Sequence, residues 1–103
     1  MTVLDIDWLR TAVRNGRYVY SAHADQERQA DDLTIAQIEQ SIEHGRIIEN
    51  YPDTGRGVSC LIAGFSDDGT PIHCVCGIRA GLPVIITTYV PGPPKFKNPF
   101  QRG

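Results

Sequence analysis

The 103-residue sequence has little of what usually reveals a function on first reading. It holds three cysteines, one tryptophan and one methionine. An odd cysteine count without a C-x-x-C pair argues against a disulfide framework and fits a reducing compartment. No apolar run approaches the roughly 20 residues of a membrane helix, and the start lacks the basic-then-apolar layout of a signal peptide. The expected location is therefore cytoplasmic, with no membrane partner. There is no Gly-rich phosphate loop between a strand and a helix, and no serine elbow. A basic excess is missing too: the net charge is −2, which removes the general electrostatic footprint of a nucleic-acid binder. The charge is uneven, however. Lys95, Lys97 and Arg102 stand in a C-terminal stretch without acids, so that tail is +3 and the remainder −5. A polyanion site on the remainder has to be local, and a basic protein partner suits it better.

What is present reads as one domain of class α+β. Residues 5–15 place Ile6, Leu9 and Val13 at helical spacing, with Asp5 as a cap and Gly16 as a stop. "RYVY" follows as a short strand or extended linker. A second helix starts at Ser21, and a third at Thr34, where Gln37 completes a capping box before the Ile35, Ile38 and Ile42 stripe. The pattern then switches to strands: "RIIENY", "VSCLIAGFS", "TPIHCVCGI" and "PVIITTYV", joined by the loops "PDTGRG", "DDG" and "RAGL". The expected fold is three N-terminal helices packed on an antiparallel sheet of about four strands. The domain spans 1–91, and a proline-rich basic tail over 92–103 is expected to be extended or disordered.

The segment "YVYSAHADQERQADDLT" is the odd one, because its helix carries no apolar side chain larger than alanine. It places His23, Glu27 and Asp31 four residues apart on one stripe, where Glu27 can orient His23 for acid/base work. A solvated face of charge pairs is the plainer alternative. In the second and third of these four strands, reading Asp68-Gly69 as a two-residue loop sets Phe65 opposite Ile72, Ala63 opposite Cys74 and Leu61 opposite Cys76 on a core face. Cys60 then points to the other face. On that arithmetic Cys74 and Cys76 are core hydrophobes, not zinc ligands, since a structural zinc site needs four convergent ligands. His73 falls on the opposite face, facing Gly64. Tyr89 lies across from His73 if the "RAGL" turn has three loop residues, and on the core face if it has two; both registers stay open. Arg28, Arg46, Arg56 and Arg79 are candidate phosphate ligands by type, with a plain surface charge as the alternative for each. No metal site and no cofactor are expected.

Those residues carry a resemblance over 18–91. "YSAHADQE", "DDLT", "IEQSIEHGRIIENYPD", "SCLIAGFSDDGTPIHCVC" and "VIITTYVP", in that order, resemble the bacterial family catalogued as domain of unknown function 4258. Its His-Ala-x-x-Glu falls on His23, Ala24 and Glu27; its Gly-x-Ile-x-Glu-x-Tyr-Pro on Gly45, Ile47, Glu49, Tyr51 and Pro52. Its Asp-Gly-x-Pro-x-His falls on Asp68, Gly69, Pro71 and His73, and its Thr-x-Tyr-x-Pro on Thr87, Tyr89 and Pro91. Thr70 departs from the arginine that members often carry before the proline, and the tail departs from their tryptophan. More distantly, the family is similar to RelE and barnase-like toxin ribonucleases. That similarity implies a metal-independent endoribonuclease of a toxin–antitoxin system. RNA would be its substrate and an antitoxin its partner. His23 or His73 would be acid or base, Glu27 the orienter, and Tyr89 with Arg28, Arg46 or Arg56 the phosphate-side groups. The alternative is a non-catalytic protein-interaction domain on the same scaffold. The enzyme reading expects His23, His73 and Tyr89 to converge on one concave face.

Overall fold

Side-chain caps fix where each helix begins. A computed structural model describes residues 4–92, 96–98 and 100–102. In α1 (Ile6–Arg14) the Asp5 carboxylate accepts from the Asp7 N–H; in α2 (Ala22–Ala30) the Ser21 hydroxyl accepts from the Ala24 N–H. Thr34 and Gln37 close the expected capping box on α3 (Ile35–Glu43). Arg14 holds α1 to α3 through a two-pronged contact with Glu43, at 2.9 and 2.8 Å. No helix among the described residues is long and apolar enough to cross a membrane.

The sheet is larger than expected, and mixed. It contains β1 (Val19–Tyr20), β2 (Arg46–Tyr51), β3 (Ser59–Phe65), β4 (Pro71–Arg79) and β5 (Leu82–Tyr89), in the order β1-β5-β4-β3-β2. The four antiparallel strands expected from the sequence are β2 to β5. The fifth comes from "RYVY", which pairs parallel to β5 through Val19↔Val84 and Tyr20↔Ile85. It lies between α1 and α2, so the helices do not form one N-terminal block. β-Branched and aromatic residues leaving α1 find the open edge of the last strand, and a two-residue strand results. Within the tail, β6 (Phe96–Asn98) pairs with β7 (Gln101–Arg102).

Two turns decide which side chains face the helices. The β3–β4 loop has three residues, not two. The Ser66 N–H donates to the Thr70 carbonyl at 2.9 Å and the Gly69 N–H to the Ser66 carbonyl at 2.9 Å. Gly69 adopts φ 87°, the left-handed position that ends such a turn. Asp68 holds the loop by accepting from the Thr70 N–H at 3.2 Å and from the Ser66 hydroxyl. One extra loop residue slips β3 by one place, which exchanges its faces. Ile62 therefore pairs with Cys74, Cys60 with Cys76, and Ala63 with His73. This corrects the expected register: Cys60 and Ile62 join the helix side, while Leu61, Ala63 and Phe65 share the other side with His73.

At the β4–β5 turn both open registers contribute. The loop is the two-residue Ala80-Gly81, with φ 53° and 78°, as a hairpin of type I′ requires. A bulge then inserts Ile86 between the Cys76↔Ile85 and Val75↔Thr87 pairs, and the shifted ladder sets Tyr89 opposite His73.

The core lies between the helices and one sheet face. Leu9, Val13, Ala24, Ile38 and Ile42 meet Cys60, Ile62, Ile72, Cys74, Cys76 and Ile85 there. Burial pushes the Cys60 thiol up to about 12 and Cys74 up to about 11, so these sulfurs stay protonated as small hydrophobes.

Candidate functional site

The polar stripe of α2 is answered first by the edge it faces. β1 ends at Tyr20, leaving the outer edge of β5 without a neighbouring strand beyond Ile85. Ser21 takes over, its N–H donating to the Ile85 carbonyl at 2.9 Å and its hydroxyl to the Ile86 carbonyl at 2.8 Å. The Thr88 N–H donates to Glu27 Oε1 at 3.1 Å, the Thr87 hydroxyl donates to the same oxygen, and the Val90 N–H donates to Asp31 Oδ2 at 3.1 Å. Two carboxylates on successive turns thus replace a missing strand. His23 stands outside this, 68% exposed, with Nε2 3.3 Å from Glu27 Oε2. Arg28 is spent locally on Asp25 at 2.8 Å and the Leu33 carbonyl at 3.3 Å.

The double use of Glu27 has a measurable consequence. Glu27→Ala strips acceptors from a half-buried edge and is expected to cost about 1–3 kcal/mol. In a domain of this size that lowers the thermal midpoint by roughly 5–20 °C, read by circular dichroism. His23→Ala removes no such partner and is expected to stay within about 0.5 kcal/mol of the parent.

The second sheet face, which no helix covers, gathers the remaining polar groups in three rows. Strand pairing sets Arg46, Ala63, His73 and Tyr89 side by side; then Glu49, Leu61, Val75 and Thr87; then Tyr51, Ser59, Gly77 and Val84. His73 Nδ1 lies 3.3 Å from the Tyr89 hydroxyl, with the rings edge-to-face and centroids 5.3 Å apart. The Tyr51 hydroxyl donates to Glu49 Oε1 at 2.5 Å. His73 is completely buried, as are Ala63 and Leu61 beside it, although no helix packs on this face. Val75 pairs with Thr87, whose hydroxyl goes to Glu27, so the His23–Glu27 pair meets this face at its β5 edge.

A groove of about 480 Å³ opens on the same face beside those rows. Val75, Gly77 and Ile86 line it, Tyr51 and Ser59 flank it, and Arg56 and Arg79 supply its charge. Among the described residues no acidic one lines it. At the opposite end Arg46 lies over the ring of Phe100, 4.3 Å from its centroid.

Of the residues singled out from sequence, His73 meets Tyr89 and His23 meets Glu27, while Arg46, Arg56 and Arg79 border one face. Arg28 is placed elsewhere. Glu49 and Tyr51 received no role, although the signal was there. Glu49 and Tyr51 are two residues apart in "RIIENY", so alternation puts them on one face, and the bulge between Ile47 and Glu49 brings that face to the side of Arg46. Among the described residues no group of three or more His, Cys, Asp or Glu converges to hold a metal ion.

A mixed five-stranded sheet with helices on one side and an arginine-edged face without helices on the other defines an α+β domain whose helix-free face is the candidate site. The chain belongs to the family described as domain of unknown function (DUF4258), whose model matches residues 20–90. The match takes in α2, α3 and β2 to β5, hence all three rows, and leaves out α1 and the tail. No curated protein and no solved structure matches the chain.

Proposed function

We propose that this domain is a toxin-like, metal-independent endoribonuclease that draws RNA across its open sheet face. The observation that carries the reading is the gathering of Arg46, Glu49, Tyr51, His73, Arg79 and Tyr89 on that face, beside a groove that no described acidic residue lines. RNA cleavage of this kind needs a base, an acid and a cation, all within one phosphodiester's span. Glu49 on β2 and His73 on β4 are separated by β3, hence by roughly 10 Å of backbone at two strand spacings. In the proposed step one of them takes the proton of the ribose 2′-hydroxyl, whose oxygen bonds to phosphorus. The bond to the 5′ oxygen breaks, and the other group protonates that leaving oxygen. The products are a 2′,3′-cyclic phosphate and a 5′-hydroxyl end. Tyr89 and Tyr51 position the pair. Arg46, in the His73 row, supplies the cation; Arg79, six residues along β4 from His73, and Arg56 hold flanking phosphates of the strand, and Glu27 sets His23 at the face's edge.

The net negative charge outside the tail is compatible with this because the groove itself carries the positive groups. That same acidity, −5 outside the tail, supports a second reading in which the scaffold binds a basic, antitoxin-like protein without catalysis. The test is cleavage of single-stranded RNA with and without chelator, alongside the variant Arg56→Ala/Arg79→Ala. Cleavage that survives chelator is expected, with the double variant binding RNA about 10-fold more weakly or worse. Its slope of log affinity against log salt should flatten by about 1.4, for two lost phosphate contacts on a single strand. Loss of cleavage in chelator would overturn the metal-independent step. RNA left intact under all conditions favours the protein-binding reading.

A further inference from the structure

Phe100 is the one described aromatic side chain of the tail, and it contacts two groups of the helix-free face. Its ring lies 5.7 Å from that of Phe65, inclined by 55°, with the Arg46 guanidinium carbon 4.3 Å from its centroid on the cationic side. Neither partner belongs to the core: Arg46 is exposed and Phe65 remains 39% exposed. Phe100 therefore seals little. A flat ring beside a guanidinium and an aromatic meets the kinds of group on which proteins stack an unstacked nucleobase. The place is also apt. Arg46 lies in the His73 row, and Phe65 pairs with Pro71 two residues before His73. A base here would bring its own ribose-phosphate toward the His73–Tyr89 pair. The tail that delivers Phe100 carries Lys95, Lys97 and Arg102 without an acid, so both it and an RNA strand can follow the same face, one repelled and the other attracted by the arginines.

Resting on the ribonuclease reading, we infer that Arg46 and Phe65 form a nucleobase-stacking subsite, which Phe100 of the same chain fills until single-stranded RNA displaces it. The base stacks where the ring now lies, and its phosphate runs toward the groove. A cation–π contact at an exposed site is weak, whereas a stacked base arrives with its charged backbone, so the exchange favours RNA. Because the free subsite is only a fraction of the population, apparent affinity is reduced by that fraction.

The experiment uses the full chain and a fluorescein-labelled single-stranded RNA, read by anisotropy, for wild type, Phe100→Ala and Arg56→Ala/Arg79→Ala. Phe100→Ala is expected to bind about 3- to 10-fold more tightly than wild type. A second variant, Phe100→Trp, keeps the stacking surface; adding RNA should move its emission to the red as the indole enters water, while the parent with Trp8 alone on α1 should not shift. Wild-type binding that depends on Arg56 and Arg79 but is unchanged or weakened by Phe100→Ala, with no red shift in Phe100→Trp, overturns the subsite and leaves the groove reading standing. Absence of RNA binding by every protein in the series overturns both.

Discussion

Replacing Gly64 by alanine is expected to lower the thermal midpoint by roughly 10–20 °C. The reason is the direction in which Gly64 faces. The one-residue slip of β3 turns it toward the helices, where the end of α3 descends onto the sheet. A Cβ there would sit 2.9 Å from the Ser41 carbonyl carbon and 3.0 Å from the Gly45 Cα, and still closer to the Ser41 oxygen. All of these are backbone atoms, and none can rotate aside. Relief requires α3 to lift, which would disturb Ile38 and Ile42 at the centre of the core. Overpacking of this kind costs about 1–3 kcal/mol and occasionally more. Gly92→Ala, where nothing among the described residues lies within 4 Å, is the control and is expected to stay within about 0.5 kcal/mol. Equal midpoints for the two variants, measured by calorimetry, would remove the close approach of α3 from the account.

Gly64 also shows what the sequence could and could not disclose. Caps and apolar spacing are local signals, and they located all three helices and four strands correctly. Register is set by turns, and the Asp-Gly dipeptide fits both a two-residue loop and a three-residue one ending in a left-handed glycine. Choosing between them needs the tertiary fact that α3 demands a glycine beneath Ser41, which no residue near the turn reveals. Tyr89 posed the same difficulty in another form. A loop of two residues and the register of three coexist because Ile86 bulges, and a bulge has no reliable mark in a single sequence. The polar stripe of α2 was legible as a stripe. That Glu27 and Asp31 would serve as acceptors for β5 depended on β1 being only two residues long. The site suffered in proportion. His73 and its side of the sheet followed from alternation alone, whereas Glu49 and Tyr51 acquire meaning only once β2 is known to lie two strands from β4.

His73→Ala is expected to give the largest functional loss, lowering kcat for RNA cleavage by about 10²- to 10⁴-fold, the range typical of a removed acid or base. RNA affinity should change only a few-fold, because Arg56 and Arg79 remain. This separates His73 from the arginines, whose substitution raises KM. A buried histidine also supports packing: its ring lies against Tyr89, and the Thr88 hydroxyl donates to its carbonyl at 3.0 Å. His73→Gln, which preserves bulk and polarity, should keep the fold and still lose the rate. Tyr89→Phe keeps the ring contact and deletes the hydroxyl near Nδ1; as a positioning change it should lower kcat less than His73→Gln and displace the pH–rate limb that belongs to the imidazole. The competing candidate is His23, more exposed and already beside Glu27. Should His73→Gln retain wild-type kcat while His23→Ala abolishes it, the acid–base group belongs to the α2 edge of the face. Glu27 would then be read as the orienter of His23 as well as the cap of β5. The two outcomes are exclusive, and the Tyr89→Phe profile discriminates them independently, since no hydrogen bond or ion pair among the described residues links Tyr89 to His23.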